Sequence, residues 1–230
     1  MKEVFPETSP TPLRPLGHRE KYSATRSHLE MYLNVGLTVR YKRASGVPVK
    51  PALYHALSIL ISKHPILSAI PFAVDTPNPY FLRLPKITLN DAVGFVKYDG
   101  HPPSSDWRDA LDKFLEEQHS CTFEVQPNKN PPFWKLYFLE SNEFPTHFTL
   151  VFIFHHSLMD TKSALSFHEE LEEYIAQYNG LEPSETIYSP TDALIPPLED
   201  LYKLPVSQNF LQAQEKYHEP SRLLLPSSRP

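Results

Sequence analysis

Phe148 to Phe154 (FTLVFIF) runs straight into two histidines, and this junction constrains the fold more than any other stretch of the chain. A strand with apolar residues on both faces needs a layer on each side, so it reads as a central strand and not an edge. Four residues after His156 stands Asp160, and a helix-like stretch follows from Ser163 to Tyr178, closed by the stop signal Asn179-Gly180. The spacing therefore places His156 at a strand end and Asp160 at a helix start. An imidazole fixed by backbone on both sides is a candidate general base. Side chains alternate along a strand, so His155 points to the opposite side and reads as support for its neighbour. Asp160 suits an N-cap, where a carboxylate satisfies orphan amides. Adjacent strand residues diverge, so no metal is expected on His155, His156 and Asp160.

Around this junction, strand-like and helix-like segments alternate. Tyr32–Arg43 alternates as a strand and ends at SGVP. Val49–His64 reads as a helix with Leu53, Ala56, Leu57, Leu60 and Ile61 on one face, stopped by Pro65. Ile66–Phe72, Tyr80–Leu84 and Val93–Tyr98 read as short strands. Trp107–His119 reads as an amphipathic helix with Ala110, Leu111, Phe114 and Leu115 inward. Phe133–Leu139 and Phe148–Phe154 form a hairpin across SNEFPT. Mixed strands and helices with hairpins among them predict an α+β fold.

The length of 230 residues suits one large domain or two small ones. Proline supplies 25 of them against 6 glycines, and prolines crowd the two ends, where they oppose regular helices and central strands. The expected division is an extended segment over 1–15, a compact domain over 16–180, and a proline-rich tail or the start of a second domain over 181–230. A net charge of −5, spread along the chain, gives no sign of nucleic-acid or anionic-membrane binding. The lone Cys121 excludes an internal disulfide framework and fits a reducing compartment; it reads as a small buried hydrophobe rather than a nucleophile. No apolar run approaches the ~20 residues of a membrane span, and the first residues lack a secretory h-region, so a cytoplasmic protein is expected. Glu169, Glu170, Glu172 and Glu173 read as a solvated helix face.

HHSLMD resembles the HHxxxDG active-site motif of the superfamily that holds chloramphenicol acetyltransferase, peptide-synthetase condensation domains and plant HxxxD acyltransferases. RPLGHREKY resembles the opening of fungal alcohol acetyltransferase-like proteins. KHPILSAI resembles the family's His-Pro-x-Leu strand entry, and PPFWKLYFLE followed by FTLVFIFHH resembles its hairpin into the active site. The resemblance covers about Arg14 to Gly180, and the fungal alcohol acetyltransferase-like branch fits best. It implies a chloramphenicol acetyltransferase-like two-layer sandwich, a mixed central sheet with helices packed on one face. It also implies transfer of an acetyl or short acyl group from acyl-CoA to an alcohol, in secondary metabolism, with acetyl-CoA or another acyl-CoA as co-substrate and no bound cofactor. His156 would take the acceptor's proton as the acceptor attacks the thioester, a task suited to an imidazole of ordinary pKa near 6.5. Asp160 would be structural support, ion-paired with an arginine, and His155 support.

Three departures qualify the match. Thr161 stands where the family prefers glycine, whose freedom allows special torsions. Ser68 stands where condensation domains carry an arginine, which argues against that branch. The resemblance matches the first half of a two-domain enzyme, and the later DFGWG-type motif is absent. The site is therefore expected to be an open apolar groove, with self-association or pairing with a homologous acyltransferase. The alternative reading is a truncated, catalytically inactive paralogue acting as a binding or subunit-like protein.

Overall fold

The computed structural model describes residues 9–43, 46–98, 107–125, 131–141 and 146–202. The SNEFPT link and the outermost prolines fall largely outside them. Residues up to Ile195 form one compact unit, and a second begins at Pro196, of which one short helix, Leu198–Leu201, is described.

The central sheet has the order β2 (Val35–Lys42), β8 (His147–Phe154), β7 (Trp134–Ser141), β6 (Val93–Tyr98). β8 is antiparallel to both neighbours, and β6 runs parallel to β7, so the sheet is mixed. The doubly apolar run is thus an interior strand, as its composition requires. Phe148, Leu150, Phe152 and Phe154 enter the main core, while Val151 and Ile153 join a smaller cluster on the other face. Helices α2 (Val49–Lys63) and α5 (Thr161–Ala176) are the partners in the main core. Phe152 is its centre: its ring stacks on Phe167 at 4.0 Å and meets Phe154 at 5.2 Å and Trp134 at 6.1 Å. Helix α4 (Trp107–His119) covers the opposite face through Leu111, Phe114 and Leu115. The α+β class holds; the cover on a second face goes beyond helices on one face alone, because Val151, Ile153 and Leu139 would otherwise meet water.

Several boundaries shift for local reasons. Pro65–Ser68 is a 3₁₀ turn rather than the start of a strand, with Pro65 at its first position and Leu67 N donating to His64 O at 3.0 Å; β3 begins at Ala69 and ends at Phe72. The prolines near both ends are extended, and part of each stretch is paired. β1 (Thr11–Pro15) lies against β4 (Tyr80–Arg83), which pairs with β3, and β9 (Thr186–Tyr188) pairs with β5 (Lys86–Thr88). β1, β3, β5 and β9 are edge strands of their sheets, positions that tolerate missing donors, while β4 lies between β1 and β3. A four-residue helix α3 (Leu89–Ala92) links β5 to β6.

Helix α1 (His18–His28) carries no periodic apolar face to betray it in sequence, and its start is held by charge. Glu20 receives the Gly17 N–H at 2.6 Å and both Arg14 Nη atoms at 2.7 Å. The RPLGHRE string is thus a helix-start clamp. At the other end Glu30 adopts φ +56°, with Glu30 N donating to Ser27 O and Met31 N to Arg26 O. This is a Schellman stop with glutamate where glycine is usual.

Candidate active site

β8 ends at Phe154, and His155 N still donates to Phe133 O at 2.9 Å. Leu158 N then donates to His155 O at 3.0 Å, turning the chain towards α5. The two histidines leave this turn in different environments. His155 is 3% exposed; Ser157 N donates to its Nδ1 at 3.2 Å, and Ser157 Oγ stands 2.7 Å away. Burial, and beyond it the neighbouring His156, pushes its pKa down to about 4.

His156 is half-buried, and its Nδ1 lies 3.0 Å from Met159 O. A carbonyl can only accept, so Nδ1 carries the ring proton and Nε2 keeps its lone pair. That is the tautomer a general base needs. Tyr32 stands against the imidazole with ring centroids 5.8 Å apart, and the Arg26 guanidinium lies 4.7 Å over the Tyr32 ring and 5.3 Å over Tyr22. Tyr32 and Arg26 gave no signal in sequence; the α1 stop at Glu30 is what brings Tyr32 round.

Asp160 is the N-cap of α5. Its Oδ1 accepts from Ser163 N at 2.9 Å and Ser163 Oγ at 2.8 Å, and the backbone donor first of all holds the carboxyl below the ordinary range. The arginine ion pair implied by the resemblance is not formed among the described residues. Arg19 acts only as a nearby charge, one of the lesser causes of the shift. Asp160 is exposed, so capping rather than a buried ion pair is its contribution. Thr161 opens α5 without a left-handed torsion, so the family's glycine is not needed by the backbone here. Asp160→Ala should cost about 0.5–2 kcal/mol in urea unfolding, and Asp160→Asn much less, since asparagine caps nearly as well. Equal losses in both variants would point to charge rather than the cap.

The His-Pro element is also structural. His64 Nε2 lies 2.8 Å from Glu170 Oε2, and Lys63 Nζ donates to the same oxygen at 2.9 Å, tying α2 to α5. Burial works to raise the Glu170 pKa, but these two bonds outweigh it and hold the carboxyl low. Glu170 is therefore not part of a purely solvated face. Ser68 is fully buried, and its Oγ has no hydrogen-bond partner among the described residues. Cys121 corrects another expectation: it is exposed just beyond α4, because the helix end projects it outward while Asn34 Nδ2 holds its carbonyl at 2.9 Å.

A cavity of about 540 Å³ lies beside the turn, between the end of α1, the segment after β3 and residues 122–125, with Phe133 and His155 in its wall. A second, of about 340 Å³, borders Asn34, Cys121 and Tyr137. Among the described residues no cluster of His, Cys, Asp and Glu could hold a metal, and no helix is long and apolar enough to cross a membrane.

The model of the alcohol acetyltransferase family matches residues 15–228. The probable alcohol acetyltransferase crmB of Aspergillus fumigatus is 34% identical over 210 residues, covering 83% of this chain and 44% of that protein. The chain thus spans less than half the length of this curated relative. Among solved structures, the first condensation domain of the CDA synthetase has a TM-score of 0.55 at 13% identity, over 73% of this chain and 39% of that one. A mutant starter condensation domain of the rhizomide synthetase RzmA has a TM-score of 0.56 at 13% identity, over 74% and 39%. Likeness at that identity shows the shared fold. Fold, motif order, family model and relative agree, and the chain belongs to the alcohol acetyltransferase family.

Proposed function

We propose that the chain carries the base of an O-acyltransferase that moves an acetyl or short acyl group from acyl-CoA to a small alcohol. One observation supports this above the others: Met159 O fixes the His156 proton on Nδ1 and leaves Nε2 free to accept. The alcohol would give its proton to Nε2 as its oxygen attacks the thioester carbonyl. The oxygen–carbonyl bond forms, the carbon–sulfur bond breaks, and the thiolate leaves with the proton held by the imidazole. No covalent acyl-enzyme is needed. Asp160 supports the turn by capping α5, and His155 supports it from beneath. Incubation with acetyl-CoA and a panel of alcohols, with ester detected by mass spectrometry, tests the reading. Ester formation above the uncatalysed rate is the expected result; its absence with every alcohol and acyl chain, alone and with a supplied C-terminal half, moves the assignment to an inactive paralogue.

The surface beside the base favours a further element of this reading. Tyr22 (64% exposed) within α1, and Leu29 (59%) and Met31 (71%) just past its end, present apolar side chains in the segment that leads to Tyr32, with Arg26 over the rings of both tyrosines. Clustered exposed apolar groups mark interaction surfaces. Their partner in this proposal is a second acyltransferase unit, either another copy or a homologue. Light scattering across micromolar concentrations should show mass above the monomer, alone or with the homologue. Strictly monomeric behaviour in both would count against it.

A further inference from the structure

Tyr22 and Arg26 lie one turn apart on α1, a spacing that puts both on one face of the helix. The chain then leaves α1 through the left-handed Glu30, with Met31 N donating to Arg26 O at 2.9 Å, and Tyr32 returns to the same guanidinium. The Arg26 Cζ stands 5.3 Å from the Tyr22 ring centroid and 4.7 Å from that of Tyr32. The Tyr32 ring in turn stands 5.8 Å from the imidazole of His156. The last two distances, placed end to end, keep the guanidinium within 10.5 Å of the base.

Other arginines of the fold are committed. Arg14 is clamped to Glu20 and Arg43 to Glu140, and Arg83 donates to the carbonyls of Thr191 and Asp192. Arg26 makes no ion pair and no hydrogen bond among the described residues; its contacts are the two rings. Stacking on rings stabilises a guanidinium but leaves its planar fork of N–H donors without an acceptor. Arg26 is half-buried and held by both tyrosines, so its fork loses little freedom on closing over a bidentate anion. Tyr32 Oη, beside it, likewise makes no hydrogen bond to a described residue.

We propose that Arg26 selects a hydroxy acid as the acyl acceptor: its fork holds the acceptor's carboxylate while the acceptor's hydroxyl gives its proton to His156 Nε2. This rests on the acyltransferase reading and names the substrate class of that same site. The transfer is unchanged, hydroxyl oxygen to acyl carbon with release of the thiol, and the carboxylate takes no part in bond making. The other anions of the reaction are the phosphates of the acyl donor, which stand at the far end of the pantetheine arm from the thioester. The short reach from Arg26 to His156 suits a small acceptor and not that arm.

Three alcohols of one shape separate the charges: 4-(hydroxymethyl)benzoate, its neutral methyl ester, and the cationic 4-(aminomethyl)benzyl alcohol. Isotope-labelled protein is titrated with each at neutral pH, without acyl donor, and followed by amide NMR. The carboxylate should give saturable shifts at Arg26, Tyr32 and His156 and bind at least ~10-fold tighter than the ester, with the amine weakest. Arg26→Gln should bring the carboxylate-to-ester ratio to within about 2-fold of unity, and Arg26→Lys, which keeps the charge without the fork, should restore only part of it. With acetyl-CoA present, the same ratio should appear in the acceptor's KM, and acetyl-pantetheine, which lacks the phosphates, should leave it unaltered. Equal binding of the three alcohols, or a ratio that survives in Arg26→Gln, would overturn the proposal. So would an Arg26→Gln effect confined to the KM of acetyl-CoA and absent with acetyl-pantetheine, which would assign the guanidinium to the donor. Loss of self-association in Arg26→Gln with unaltered acceptor binding would assign it to the subunit contact and overturn the proposal equally. The titrations involve no ester formation, so missing turnover counts against the acyltransferase reading, while a missing carboxylate preference counts against this proposal alone.

Discussion

His156→Ala is expected to lower kcat/KM for acyl transfer by about 10²–10⁴ while the protein stays folded. The expectation follows from where the ring sits. Nδ1 is held by Met159 O and Nε2 has no hydrogen-bond partner among the described residues, so in the proposed reaction the side chain removed is the one that takes the acceptor's proton. Its ring is half-buried against Tyr32 and is not part of either apolar core cluster. Truncation therefore opens little core volume and should cost no more than about 1 kcal/mol. The neighbour makes the contrast. His155 is 3% exposed and packs near Phe133, so His155→Ala should lower the melting temperature well before its effect on rate can be read. Thiol release from acetyl-CoA with a panel of alcohols, run beside melting curves for both variants, measures the two effects separately. Undiminished turnover in His156→Ala would remove the general-base role.

The strand that carries these histidines was legible because nothing else suits its composition: seven residues with no polar face belong between two layers. The α2 and α4 periodicities were legible for the same reason, since each carries its apolar stripe in full. Helix α1 was not, because its stability comes from a charge clamp of Arg14, Gly17 and Glu20 and from a left-handed stop at Glu30, neither of which has a period. Its loss from the reading also hid Tyr32 and Arg26, which reach the site only through that stop. Asp160 was legible in position, and both its cap and its arginine partner were anticipated; only the cap is formed, since Ser163 lies one turn on while Arg19 acts merely as a nearby charge. Short edge strands such as β5 and β9 leave too few residues for an alternation to show.

Acid should destabilise the compact unit steeply, beginning well above the carboxylate range. His155 and His168 both have pKa values pushed down to about 4, in each case chiefly by burial. In the unfolded chain both return to about 6.5. Above that value neither state binds the protons and the full stability is present. As pH falls from about 6.5 to about 4, the unfolded chain takes up protons that the folded one refuses, so stability declines by up to ~1.4 kcal/mol per pH unit for each histidine. Over the whole window this amounts to at most roughly 3 kcal/mol each. The two together rival the ~5–15 kcal/mol that holds a typical domain, so unfolding near pH 4 to 5 is the expected outcome. Below about 4 the folded state begins to accept the same protons and this loss levels off. The depressed carboxyls of Asp160 and Glu170 then take over, as acid protonates them and weakens the α5 cap and the ties from His64 and Lys63. His168 permits a direct check, because its Nδ1 lies 2.9 Å from Tyr41 Oη and asparagine can offer a polar atom in the same place. Urea unfolding at several pH values between 7 and 4.5 should show His168→Asn with about half the slope of the parent. A parent stability that is flat from pH 7 to 5 would mean that the two rings do not stay neutral as burial demands.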